Sequence, residues 1–144
     1  MTEPVAVFDT NVVVSGFLSP HGPPGRIVEW LRQGSVRAVV DDRIVAEYRS
    51  VLARPELKLP AAEVETVLRE ILSYAIWAEV APGSSPVELP DEDDVPFAEC
   101  AATAGCPLVT GNARHFPAKA VGQAVLSPAL FVARVSETRS SPRP

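Results

Sequence analysis

Apolar positions along the chain fall into short continuous runs separated by stretches with helical spacing. Val5–Phe8 follows Pro4 as an uninterrupted apolar run ending at Asp9, the pattern of a strand buried on both faces and therefore of a central parallel strand. Beyond a loop holding Ser19, Pro20 and Gly22 to Gly25, the spacing of Ile27, Val28, Trp30 and Leu31 predicts an amphipathic helix ending near Gly34. Val36–Val40 reads as a second strand. Asp41 or Asp42 can cap a helix carrying Ile44, Val45, Tyr48, Val51 and Leu52, closed at Pro55. A further helix fits Ala61–Tyr74, with Val64, Val67, Leu68, Ile71 and Leu72 on one side, and Ile76–Val80 reads as a strand before a turn-rich loop, Pro82–Pro86.

The last third opens with the acidic cluster Asp91–Asp94, continues as a helix to about Ala104, and passes after Gly105 into a short strand, Pro107–Thr110. A strand near Ala124–Leu126 and a helix from Pro128 to Val135 follow, while residues 10–18 receive no element from this pattern. Strands alternating with helices predict an α/β fold, a three-layer α/β/α sandwich with a mainly parallel central sheet and right-handed crossovers. One domain is expected over residues 1–136, with 137–144 as a polar, disordered tail.

Composition supports a folded domain, since 144 residues of which 47% are hydrophobic and 22% charged supply enough apolar material for a core. No apolar run approaches the roughly 18 residues that span a bilayer, and no signal-type segment opens the chain, so a soluble cytoplasmic protein without membrane attachment is expected. In that compartment Cys100 and Cys106 would be reduced, buried thiols. The net charge of -5 argues against a broad basic surface for nucleic acid. It leaves room for a nuclease, because carboxylates gathered at a metal site count as negative until cations reverse the local potential.

The candidate chemistry lies where such sheets bind ligands, beyond the carboxyl ends of the strands. Asp9 follows the first strand directly, although an Asp there can equally order a turn. Glu47 interrupts an apolar helical face, with Ile44 and Val51 as its neighbours; it either reaches water or an Arg at the edge of the stripe, or is kept there to hold a cation. Four successive acids at Asp91–Asp94 exceed what capping a helix needs. Thr110-Gly111-Asn112 ends the later strand, so that Asn112 offers an amide oxygen or merely a turn. Hard oxygen donors without a His or Cys set suit Mg2+ or Mn2+, which can activate water and neutralise a phosphate.

Four motifs in order resemble those of the PIN-domain ribonucleases, particularly their toxin-like, VapC-like branch: FDTNVVVSG at Phe8–Gly16, IVAEYRSVL at Ile44–Leu52, DEDDVPFAECAATAG at Asp91–Gly105 and LVTGN at Leu108–Asn112. The resemblance implies that Asp9, Glu47 and Asp94 are the metal carboxylates and that Asn112 fills a fourth catalytic position, keeping an oxygen but losing the charge that many members have there. It implies that Asp91 and Asp93 assist metal binding or cap the helix, and that Thr10, Asn11 and Thr110 orient the carboxylates. His115 stands where some members carry another acid. The activity implied is Mg2+-dependent (or Mn2+-dependent) hydrolysis of RNA phosphodiesters by the toxin of a toxin–antitoxin pair, silenced by a small cognate antitoxin and working as a homodimer. Arg26, Arg43 and Arg114 are candidates for contacting RNA.

The main alternative is a catalytically impaired PIN-like scaffold that binds RNA or a protein partner. A phosphohydrolase with Asp9 as nucleophile would want a second Asp where Asn11 stands, and a receiver-like module would want paired acids near the first strand.

Overall fold

The computed structural model describes residues 3–81, 89, 91–117 and 121–140. Five strands form one parallel sheet: β1 (Val5–Phe8), β2 (Arg37–Val40), β3 (Ile76–Trp77), β4 (Leu108–Val109) and β5 (Val125–Leu126), in the order β3-β2-β1-β4-β5. Consecutive residues Ala6, Val7 and Phe8 on β1, and Ala38, Val39 and Val40 on β2, are all buried. Because successive side chains point to opposite faces, this burial means that both faces of the sheet are covered. The six described α-helices supply that cover: α1 (Thr10–Leu18), α2 (Pro23–Gln33), α3 (Asp42–Leu52), α4 (Ala61–Tyr74), α5 (Val95–Ala104) and α6 (Pro128–Ser140). Helix α5 packs over β1, β2 and β4, whereas α2 packs against α1, α4 and α6. The expected three-layer α/β/α architecture is therefore the observed one, with a sheet that is parallel throughout.

Helix α1 arises where the hydrophobic pattern assigned nothing. Asp9 caps it through Oδ1, which accepts the Thr10 N–H at 2.8 Å, and Val12, Val13 and Gly16 are buried. At Gly16 a Cβ would run into the Val28 side chain and the Pro24 carbonyl, so glycine there allows α1 and α2 their close approach. The expected helix boundary at Gly34 is met by a left-handed C-cap with φ 76°. Asp41 caps α3, its Oδ1 accepting the Ile44 N–H at 3.0 Å.

Two expectations need correction. Strand β3 pairs only at Ile76 and Trp77 rather than through Val80, and it forms one edge of the sheet. Residues 137–140, expected in a disordered tail, continue α6 to Ser140; there Arg139 donates to the Ser35 carbonyl at 2.6 Å and stacks on Trp30. These tertiary contacts hold a polar turn that its composition alone would leave frayed. The loop Pro82–Pro86 and residues 141–144 lie outside the described residues.

Candidate active site

The order of the strands reverses at β1, since the chain leaves β1 toward β2 and returns later to β4 on its other side. Phe8 and Val109 are register partners across that junction, which puts Asp9 and Thr110 side by side at the carboxyl ends of β1 and β4. This is the crevice in which open α/β sheets bind ligands. Asp9, only 7% exposed, accepts the Thr110 hydroxyl on Oδ2 and the Thr10 N–H on Oδ1, both at 2.8 Å. Burial raises its pKa, while the Thr110 and Thr10 hydrogen bonds and the field of His115 oppose the rise.

Glu47 reaches the same crevice from α3. Its neighbour Tyr48 is buried and donates its hydroxyl to the Phe8 carbonyl at 2.5 Å, tying α3 to the end of β1 just before Asp9. Glu47 is half-buried, and its pKa is raised first by burial and then by the charges of Asp93 and Asp9, with Arg54 acting in the opposite direction. The third acid comes from a 3-10 turn, Glu92–Asp94, that leads into α5. Asp94 is 8% exposed, and its carboxyl is pushed up to about 6, by burial first and then by Asp9. His115 counteracts part of that shift, its Nδ1 standing 3.2 Å from Asp94 Oδ2. Oδ2 itself is buried and makes no hydrogen bond, and the Thr10 hydroxyl is likewise buried without a partner.

Asp9, Glu47, Asp94, Asp91, Asp93 and His115 thus line one cleft of about 360 Å3, which also takes in Thr10 and Asn11. Asp91 is partly engaged in capping, since its Oδ1 accepts the Asp93 N–H at 2.9 Å. Asn11 ties the rim together, its Oδ1 accepting the Gly111 N–H at 3.1 Å. Asn112 is not among the residues lining the cleft: its backbone N–H donates to Thr110 Oγ1, and it begins the turn Ala113–His115 that delivers His115. The histidine, noted in the sequence only as a departure, is the group that this loop brings to the acids.

The three arginines separate. Arg43 is committed to Asp41 and to the buried Glu99, at 2.7 Å from each, away from the acidic cleft. Arg26 lies over the Trp30 ring, 5.6 Å from its centroid. Arg114 sits in the turn beside His115.

Among the described residues no three His, Cys, Asp or Glu side chains stand in an arrangement that could hold a metal ion, so ligation would draw these groups together. The donors nevertheless fit a divalent cation chemically. Three carboxyls whose ionisation is suppressed by burial, in Glu47 and Asp94 also by the charge of Asp9, beside a buried oxygen with no hydrogen bond, form a set whose cost a cation would relieve. Among the described residues no helix is long and apolar enough to cross a membrane, and both cysteines are free and buried.

A family model described as PIN domain matches residues 5–114. The uncharacterized protein MJ1680 of Methanocaldococcus jannaschii is 23% identical over 107 residues, covering 74% of this chain and 69% of that protein. Two solved structures share the fold. VapBC2 from Rickettsia felis, bound to a DNA fragment from its promoter, gives a TM-score of 0.57 at 15% identity, covering 85% of this chain and 98% of that one. FitAcB from Neisseria gonorrhoeae gives 0.56 at 22%, covering 87% and 98%.

Proposed function

The chain belongs to the PIN-domain family of nucleases, and we propose that it is a Mg2+- or Mn2+-dependent endoribonuclease whose metal carboxylates are Asp9, Glu47 and Asp94. The observation that carries this reading is the meeting of these three acids, from β1, α3 and the turn before α5, in one cleft at the reversal point of the sheet. A bound cation would neutralise the scissile phosphate and make a water molecule a better nucleophile near neutral pH.

The protein's own part is positioning. Thr110 and the Thr10 N–H fix both oxygens of Asp9, each of which retains a lone pair for a cation. The Tyr48 hydroxyl holds α3, and with it Glu47, against the end of β1. Asp91 and Asp93 at the exposed rim assist ligation or hold water, Asp91 with one oxygen already given to the turn. Asn11 keeps the first turn of α1 in register with Gly111 after β4, so that the walls of the cleft stay at a fixed spacing. Asn112 acts through its backbone, donating to the same Thr110 hydroxyl that orients Asp9.

With a net charge of -5 and acids around the cleft, substrate affinity must come chiefly from the cation and from rim arginines such as Arg114 and Arg54. A short unpaired RNA segment suits an open cleft of this size better than a long duplex. The sequence motifs resemble the toxin-like, VapC-like branch of the family, and a solved structure that shares the fold is VapBC2. By extension this chain acts in the cytoplasm as the toxin of a toxin–antitoxin pair, as a homodimer held inactive by a small antitoxin.

The test is incubation of a mixed single-stranded RNA pool with purified protein in Mg2+, Mn2+ or chelator, with analysis of the product ends. Metal-dependent cleavage without 2′,3′-cyclic phosphate ends is expected of an attacking water. RNA binding with no cleavage under any of these conditions would overturn this reading in favour of an inactive scaffold, which the position of Asn112 outside the cleft would then explain.

A further inference from the structure

We propose that His115 is itself a ligand of the bound cation and that it turns the preference of the site from Mg2+ toward a first-row transition ion such as Mn2+. This rests on the metal-dependent reading above and specifies which ion the site takes.

The position of the imidazole supports ligation better than simple pairing. Its Nδ1 stands 3.2 Å from Asp94 Oδ2, yet that oxygen is buried and receives no hydrogen bond. Neighbouring ligands of an octahedral ion with bonds of about 2.1 Å stand about 3.0 Å apart, so the two atoms have nearly the spacing of adjacent ligands without the alignment of a hydrogen bond. With its proton on Nε2, the ring presents a lone pair at Nδ1. The hydroxyl of Thr10, a residue that lines the same cleft and is nine-tenths buried, is also unpartnered.

Local structure explains why a histidine holds this place. The turn after β4 directs the Asn112 N–H back onto Thr110, residue 112 is not among those lining the cleft, and the turn Ala113–His115 brings the imidazole to Asp94. Exchanging an oxygen donor for an imidazole softens the ligand set. Mg2+ demands oxygen ligands and keeps its waters, whereas first-row transition ions accept imidazole readily.

The experiment titrates Mn2+ and, separately, Mg2+ into the full-length protein by calorimetry, for wild type, His115→Ala and His115→Asp, and records 14N couplings in the Mn2+ electron spin echo spectrum. The His115 side chain is 46% exposed on a surface turn, so its removal leaves the core intact. Wild type is expected to bind Mn2+ at least about tenfold more tightly than Mg2+. His115→Ala should weaken Mn2+ by about 10–100-fold, the scale of losses in metal-site variants, remove the 14N coupling and change Mg2+ affinity much less. His115→Asp should restore affinity for Mg2+.

If wild type binds Mn2+ but shows no 14N coupling, and His115→Ala binds it as tightly or more so, His115 only neutralises Asp94 and the inference is overturned while the nuclease reading stands. If wild type binds neither ion, the metal-dependent reading falls and takes the inference with it.

Discussion

Replacing Asp94 with Asn tests the electrostatics of the cleft without requiring a substrate. The carboxyl of Asp94 is raised from its ordinary 3.8 to about 6 by burial and by Asp9. An acid whose pKa rises on folding binds its proton more tightly in the folded state, so its ionisation works against the fold as pH increases. At pH 5 the cost is about 1.5 kcal/mol, and above pH 7.5 it reaches about 3 kcal/mol, since each pH unit of displacement corresponds to about 1.4 kcal/mol. Asn keeps the shape and removes the charge, but it stays a buried polar group, so a net gain of about 1–2 kcal/mol is expected at pH 8. For a domain of this length that corresponds to a rise in Tm of about 3–8 °C. Thermal unfolding in chelator at pH 5 and pH 8 should show Asp94→Asn more stable than wild type at pH 8, with a smaller difference at pH 5. Added Mn2+ should then stabilise wild type and leave the variant nearly unchanged. A variant less stable than wild type at pH 8, or a difference that ignores pH, would refute the view that burial and the charge of Asp9 penalise the ionisation of this acid.

Other substitutions separate the parts of the site. Tyr48→Phe removes the hydrogen bond to the Phe8 carbonyl and should cost about 1–2 kcal/mol in urea unfolding at an unchanged m value. Thr110→Val deprives Asp9 of a donor, which should raise the pKa of that acid further and weaken Mn2+ binding by about tenfold or more in calorimetry. Gly25→Ala would drive a methyl group into the Pro20 backbone and should lower stability by about 2 kcal/mol or more, read as a fall in Tm, with the metal site unaffected.

Much of the architecture was legible because β1 is a continuous apolar run and β2 ends on another, Ala38–Val40, a pattern that suits strands buried on both faces. Helix α1 was not. Three successive valines and a glycine have poor helix propensity, and the segment is helical because Asp9 caps it and because Gly16 lets it lie close on α2. Glu47 stands out as an acid breaking an apolar stripe, but its neighbour Tyr48 fits that stripe, and nothing in the spacing reveals that its hydroxyl fixes α3 to β1. Around residue 112 the sequence showed an amide at a strand end; only the path of the turn brings His115 to the cleft. Arg43 shows the same limit, since its partner Glu99 lies 56 residues away on α5. The helical end of α6 depends on Arg139 meeting Ser35 and Trp30, contacts that no local pattern encodes.

The most direct test of the central claim is the rate of RNA cleavage by wild type and by Asp9→Asn, side by side in Mn2+ and in chelator. Asp9 is the acid fixed most firmly, by Thr110 and the first turn of α1, so its loss should not be compensated by neighbours. Cleavage by wild type in Mn2+ alone, reduced by at least about a hundredfold in a folded Asp9→Asn protein, is the predicted result. Equal cleavage by the two proteins, or cleavage that persists in chelator, would contradict it.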